Sequence, residues 1–297
     1  MSKYNTILDA GPFRVGVRSN FPAFVDLLSY FYRDVIVGSD PQVVDYGVVV
    51  RRPCGLRRWI RPQAIFEIDH VRPFEPHPAE NAFPMYEWGL NWCIGTSAHR
   101  YLMLHAGTVA FDERAMILPG TPGSGKSTLS AALHLRGARL LSDEFGLVRP
   151  ETGELLAMPR GIPLKNASIE AILAFDPAAL LGPTYPNTRK GRVRHLRPDD
   201  DSQIRQHEPA VPRWLVFPTY QEGAPECLQP LGKTEAFRQL ASNCFNYRLL
   251  GETSFRAVAQ IIRQVDCYTF TFSNLERAVA QLSELAQDPG AEESDPE

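Results

Sequence analysis

Two periods of apolar residues run through this chain and divide it into strands and helices. Phe13-Arg14-Val15-Gly16-Val17-Arg18 alternates in steps of two, the mark of a half-buried strand. Phe24, Leu27, Leu28 and Phe31 then fall at helical spacing, with Ser19 or Asn20 positioned to cap that helix. Residues 43–52 and 64–68 read as further strands. Residues 80–96, carrying Phe83, Trp88, Leu90, Trp92 and Ile94, read as a helix whose aromatics belong to a core rather than to a binding surface.

From Tyr101 the apolar runs shorten and crowd together. Residues 101–111 and 114–119 predict a hairpin turning at Asp112-Glu113, and 138–141 a short strand. Residues 147–149 and 155–157 face each other across Pro150-Glu151-Thr152-Gly153, a second hairpin. Residues 159–165, with Pro159 and Pro163, read as a constrained loop leading to a helix over 168–175. Residues 182–190, rich in Pro, Thr and Asn, read as a mobile loop before an alternating strand over 192–197. Asp199-Asp200-Asp201 reads as a solvated turn. Beyond it, 214–217 and 267–272 predict buried strands, and 233–240, 253–265 and 274–286 helices.

One stretch between these elements carries chemistry. Gly120-Thr121-Pro122-Gly123-Ser124-Gly125-Lys126-Ser127-Thr128 fits GxxxxGK[ST], with a strand before it and helical spacing (Leu129, Ala132, Leu133) after it. Glycines let backbone N–H groups turn inward around phosphate oxygens, and the helix N-terminus adds the positive end of its dipole. Lys126 would reach the β- and γ-phosphates of a nucleotide, and Ser127 would hold Mg²⁺ through its hydroxyl. The alternative is a plain Gly-rich turn, which the filled motif and its flanks disfavour. The expected ligand is a nucleoside triphosphate with Mg²⁺.

Composition narrows the class without naming it. The 44% apolar share supports a sizeable core, and a net charge of −3 argues against a general nucleic-acid binder. No run of eighteen apolar residues predicts a membrane span, and residues 1–10 lack the apolar core of a secretion signal. Five cysteines without metal or disulfide spacing suggest reduced thiols and a cytoplasmic location. Arg51, Arg52, Arg57, Arg58 and Arg61 form the densest charge cluster, either a solvated hairpin tip or a dock for an acidic partner or phosphate group.

Asp143 and Glu144 follow the strand after the loop helix. In a parallel sheet they would share the carboxyl edge with the phosphate loop, one binding Mg²⁺ and the other taking a proton from an acceptor hydroxyl. Two solvated acids at a strand end is the alternative. By its chemistry alone, His105 in its apolar strand reads as a core residue. Arg192 and Arg194 could clamp phosphate oxygens or simply face solvent.

The residues 104–110 (Leu104-His105-Ala106-Gly107-Thr108-Val109-Ala110), the run Ile117-Leu118-Pro119-Gly120 through Thr128, and Arg136-Gly137-Ala138-Arg139-Leu140-Leu141-Ser142-Asp143-Glu144 together resemble the catalytic domain of HPr kinase/phosphorylase. The resemblance covers roughly residues 101 to 200. With Phe245-Asn246-Tyr247-Arg248-Leu249-Leu250-Gly251, the chain is most similar to the HPr kinase-related kinase A branch. It implies an α/β fold: a P-loop kinase domain of the HPr kinase/phosphoenolpyruvate carboxykinase type over 100–286. An N-terminal α+β domain over 1–99, open to partner docking, precedes it, and 287–297 reads as a disordered acidic tail. The resemblance gives active-site roles to His105, Lys126, Ser127, Asp143, Glu144 and Arg192, with Ser127 and Asp143 on the metal. The second acid is the proton acceptor in that family, and here it is Glu144 in place of Asp. Two further departures are Thr128, where the family loop carries Glu, and Met158, where its Glu-x-Arg-Gly metal motif has Glu before Arg160-Gly161. The N-terminal residues carry no match to that enzyme, so HPr itself is not implied as substrate.

The expected activity is ATP-dependent transfer to a Ser hydroxyl of a protein or peptide. No nucleic-acid partner is expected, and the resemblance leaves a homo-oligomer open. A small-molecule kinase is the alternative among enzymes. A nucleotide-dependent switch without transfer is the alternative outside them: Asp143-Glu144-Phe145-Gly146 fits DxxG, but no NKxD motif accompanies it.

Overall fold

The computed structural model describes residues 6–38, 43–55 and 60–287. Arg57, Arg58 and the acidic stretch 288–297 lie outside the described residues.

The N-terminal alternation builds one six-stranded sheet from β1 (Thr6–Ala10), β2 (Phe13–Ser19), β3 (Ile36–Gly38), β4 (Tyr46–Arg51), β5 (Gln63–Ile68) and β6 (His77–Pro78). Its order is β3-β1-β2-β4-β5-β6, with β2 and β4 parallel and joined through helix α1 (Pro22–Phe31). The cap of α1 is Phe21, with Pro22 opening the helix. The expected caps are used elsewhere: the Ser19 hydroxyl accepts from Phe21 N–H, and Asn20 Oδ1 from Arg52 N–H. Helix α2 (Ala82–Ser97) buries Phe83, Tyr86, Leu90 and Ile94 against this sheet. The reading of its aromatics as core holds for Phe83 only: Trp92 is exposed, and Trp88 lines a cleft beside Glu144. The apolar core continues through Met103, Phe145, Leu147, Leu156, Met158 and Tyr185, so the first hundred residues share a core with segments between 103 and 185.

The expected long strand over 101–111 is broken at His105 into β7 (Leu102–Leu104) and β8 (Ala106–Phe111). β8 turns at Asp112 (φ 54°) into β9 (Arg114–Pro119), which runs through the glycine loop into α3 (Lys126–Leu135) and then β10 (Arg139–Ser142). β11 (Gly146–Val148) pairs with both β7 and β12 (Leu155–Leu156). Residues 159–165 depart from the expected loop: β13 (Ile162–Lys165) pairs with a later strand. Pro163 is tolerated because β13 is an edge strand. After α4 (Ala167–Phe175), the expected mobile loop contains β14 (Tyr185–Thr188), and β15 (Gly191–Leu196) sits between β13 and β14. The three aspartates open a short helix, α5 (Asp200–Ile204), capped by Asp199, whose Oδ1 accepts from Ser202 N–H.

β16 (Val211–Tyr220), β17 (Cys227–Pro230), α6 (Lys233–Ser242), α7 (Tyr247–Leu250), α8 (Glu252–Gln264), β18 (Asp266–Phe272) and α9 (Leu275–Gln287) complete the chain. The central sheet runs β10-β8-β9-β16-β18-β17. Successive side chains of its strands enter opposite cores, as the period of two requires. Met116, Leu118, Trp214 and Val216 pack on the α3, α4 and α9 side, and Ala115, Ile117, Leu215 and Phe217 on the α6 and α8 side. The chain is a mixed α/β fold. The sheet is not purely parallel, since β8 runs antiparallel between β9 and β10. β9 and β10 nevertheless point the same way. Their carboxyl ends and the amino end of β8 meet at one edge, which brings the loop, Asp143 and His105 together.

Candidate active site

Gly125 holds the last turn of the loop at φ 85°, where only glycine is unstrained. A Cβ there would also stand 2.7 Å from the Phe272 ring, so β18 backs the loop and fixes its approach to α3. Residues Thr121, Pro122 and Gly123 are exposed, leaving the outer face of the loop free, while Lys126 is only 7% exposed. Its Nζ donates to the carbonyl oxygen of Asp143 at 3.2 Å, tying the loop helix to the acid pair.

Asp143 is 5% exposed, and neither carboxylate oxygen has a hydrogen-bond partner. Burial pushes its carboxyl up to about 6, against the opposing pull of Lys126, while Glu144 adds to the rise and Ser127 and Lys165 oppose it. β8 approaches closely at Gly107, where a Cβ would stand 2.1 Å from Ser130 Oγ and 3.4 Å from Asp143 Oδ1. An orphaned, buried carboxylate beside the loop serine is the chemistry a hard cation needs. Among the described residues no group of three His, Cys, Asp or Glu side chains could hold a metal. Asp143 and Ser127 would together offer two oxygen ligands to a Mg²⁺ ion, which would supply charge neutralisation there.

Glu144 is half-buried and opens outward, lining both an inner pocket with Asp143 and an outer cleft that continues from it. His105 stands in the break between β7 and β8, its ring 5.1 Å from that of Phe245. Burial lowers its titration, Lys126 lowers it further, and Glu144 opposes both. It lies within reach of the site's charges without lining the pocket. Arg192 does not join them. It is exposed and pairs with Glu170 at 2.6 Å, because Arg192 lies on the face of β15 opposite to Val193 and His195, which line the pocket.

Other residues complete the inner pocket. Arg160 is buried, donates to Asn91 Oδ1, and lies 3.5 Å from Glu87 Oε2. Glu87 in turn accepts from Tyr32 OH at 2.6 Å; burial raises its carboxyl, while Arg160 and that hydrogen bond hold it down. Lys165 and Lys190 enter from β13 and the β14–β15 turn. Partial desolvation lowers Lys190, as do Lys165 and Lys126, against Glu144. His195 forms part of the floor, edge-on to Phe83 at 5.3 Å, and burial pushes it down to about 3. Sequence reasoning missed Glu87, Asn91, Lys165 and Lys190 as site residues. No local spacing marks them, because they come from segments that only tertiary packing brings together.

No family model matches this chain, and no curated protein matches it. Among solved structures, the Hpr(Ser) kinase/phosphatase from Coxiella burnetii matches with a TM-score of 0.27 and 14% identity, covering 62% of this chain and 97% of that one. The reading of the site rests on this chain's own residues. Among the described residues no helix is long and apolar enough to cross a membrane.

Proposed function

We propose that this chain is an ATP-dependent kinase of the HPr kinase-related kind that phosphorylates a Ser hydroxyl of a protein or peptide. The observation that carries the reading is the juxtaposition of a complete phosphate loop with a buried, unpartnered Asp143 and an outward-opening Glu144. The loop N–H groups and Lys126 hold and neutralise the β- and γ-phosphates. Asp143 and Ser127 would hold Mg²⁺, which when bound neutralises phosphate charge. Glu144 faces the acceptor side and takes the seryl proton as the seryl oxygen forms its bond to the γ-phosphorus. The bond from that phosphorus to the β-phosphate bridging oxygen breaks, ADP leaves with the bond's electron pair, and Glu144 returns the proton to water.

The test pairs nucleotide affinity, with and without Mg²⁺, with single-turnover transfer. Glu144→Gln should bind Mg-ATP normally and lose roughly 10²–10⁴-fold in transfer. Asp143→Asn should lose the Mg²⁺-dependent part of nucleotide binding. If both variants bind and react like wild type, the kinase reading loses its mechanism. If the effects are exchanged, Asp143 is the base.

A further inference from the structure

The site has two compartments of different size and character. The inner pocket beside Asp143 and Glu144 has about 20 Å³ of free space. That is room for about one water-sized group, the size of a hydroxyl rather than of a metabolite. The outer cleft, entered past Glu144, has about 290 Å³. One wall is apolar: Phe74, Met85 and Trp88, with His77 against Trp88 at a ring separation of 5.9 Å. The other wall is Arg189 and Lys190.

The charges do not balance across this cleft. Glu87 is committed to Arg160, and Asp143 is buried next to Lys126. Glu144 is then the remaining carboxylate facing Lys165, Arg189 and Lys190. Among the described residues none of these three cations forms an ion pair, while Arg192 close by is paired with Glu170. Cations left unpaired beside an apolar wall favour an anionic ligand with an apolar group, and they repel a basic one.

We propose that the outer cleft docks an acidic, serine-bearing segment of a partner polypeptide. Its carboxylates meet Arg189 and Lys190, with Lys165 deeper in, and a large apolar side chain lies against Trp88 and Met85. The seryl hydroxyl then enters the inner pocket. Helix α2, outside the phosphate-loop unit, thereby supplies the selectivity wall. The fate of the hydroxyl rests on the kinase reading, whereas docking does not.

The probes are two blocked peptides without nucleotide, Glu-Phe-Ser-Glu-Glu and Lys-Phe-Ser-Lys-Lys, titrated against the full chain by calorimetry. The acidic peptide should bind at least tenfold more tightly. Lys190→Ala with Arg189→Ala should abolish that preference, and Trp88→Ala should weaken the acidic peptide several-fold. Equal binding of the two peptides overturns the proposal. So does a loss of ATP affinity in place of peptide affinity, which would make the cations nucleotide groups. Displacement of the acidic peptide by free L-serine at comparable concentration also overturns it, in favour of a small-molecule site. A second arm then adds γ-labelled Mg-ATP: charge-selective binding without any transfer to the peptide upholds the cleft and removes the kinase reading. Transfer without charge preference does the reverse.

Discussion

Asp143 should weaken the fold that carries it. Its carboxyl is displaced from an ordinary 3.8 to about 6 by burial. The folded chain thus keeps the proton at pH values where the unfolded chain has released it. Stability therefore falls as pH rises from about 4 to about 6, and the full cost is present above that range. Each tenfold change in proton affinity is about 1.4 kcal/mol, so at pH 7.5 the ligand-free protein is about 3 kcal/mol less stable than with a non-ionising isostere. Asp143→Asn removes that cost but leaves an amide without partners, a penalty of about 1 kcal/mol. The expected net gain is about 2 kcal/mol, read from urea unfolding in EDTA without nucleotide. The difference between variant and wild type should shrink and reverse towards pH 4, where the wild-type carboxyl is neutral in the folded chain. Saturating Mg-ATP should narrow the gap at pH 7.5 by binding wild type more tightly. A variant no more stable at pH 7.5, or a gain independent of pH, would refute the reasoning.

Arg160→Met should destabilise the chain by about 3–5 kcal/mol in urea unfolding, because it strands the buried Glu87 carboxylate. Adding Glu87→Gln should recover much of that loss, and no recovery would mean that the two are not coupled. Gly125→Ala should cost about 1–2 kcal/mol for the left-handed backbone alone. It should also lower nucleotide affinity at least tenfold by calorimetry, because the new methyl meets Phe272; unchanged affinity would show that the loop adapts.

Local geometry could be read from the sequence. The glycine loop is contiguous, and Asp143-Glu144 follows a strand whose direction the hairpin and helix fix, so the placing of the two at one edge, though not their chemistry, was legible even though the sheet is mixed. The helix and strand cores were legible because apolar periodicity survives packing. Three features were not. Residues 159–165 form an edge strand in spite of Pro163, since an edge position needs no N–H there. Arg192 and His195 were separated by strand alternation, which shows that they differ in face but not which face meets the site. The Glu87–Arg160 pair joins residues more than seventy positions apart, and nothing in the helical pattern of α2 marks a buried carboxylate as part of the pocket.

Above all, this loop and acid pair should move a γ-phosphate to a hydroxyl. The most direct measurement incubates wild type, Lys126→Ala and Glu144→Gln with γ-labelled Mg-ATP and a degenerate library of serine peptides, and tracks label in phosphoserine and in free phosphate. The prediction is phosphoserine from wild type alone, concentrated in acidic peptides, with nucleotide still bound by Glu144→Gln. Label appearing only as free phosphate, at the same rate in wild type and Glu144→Gln, would contradict it and leave a nucleotide switch.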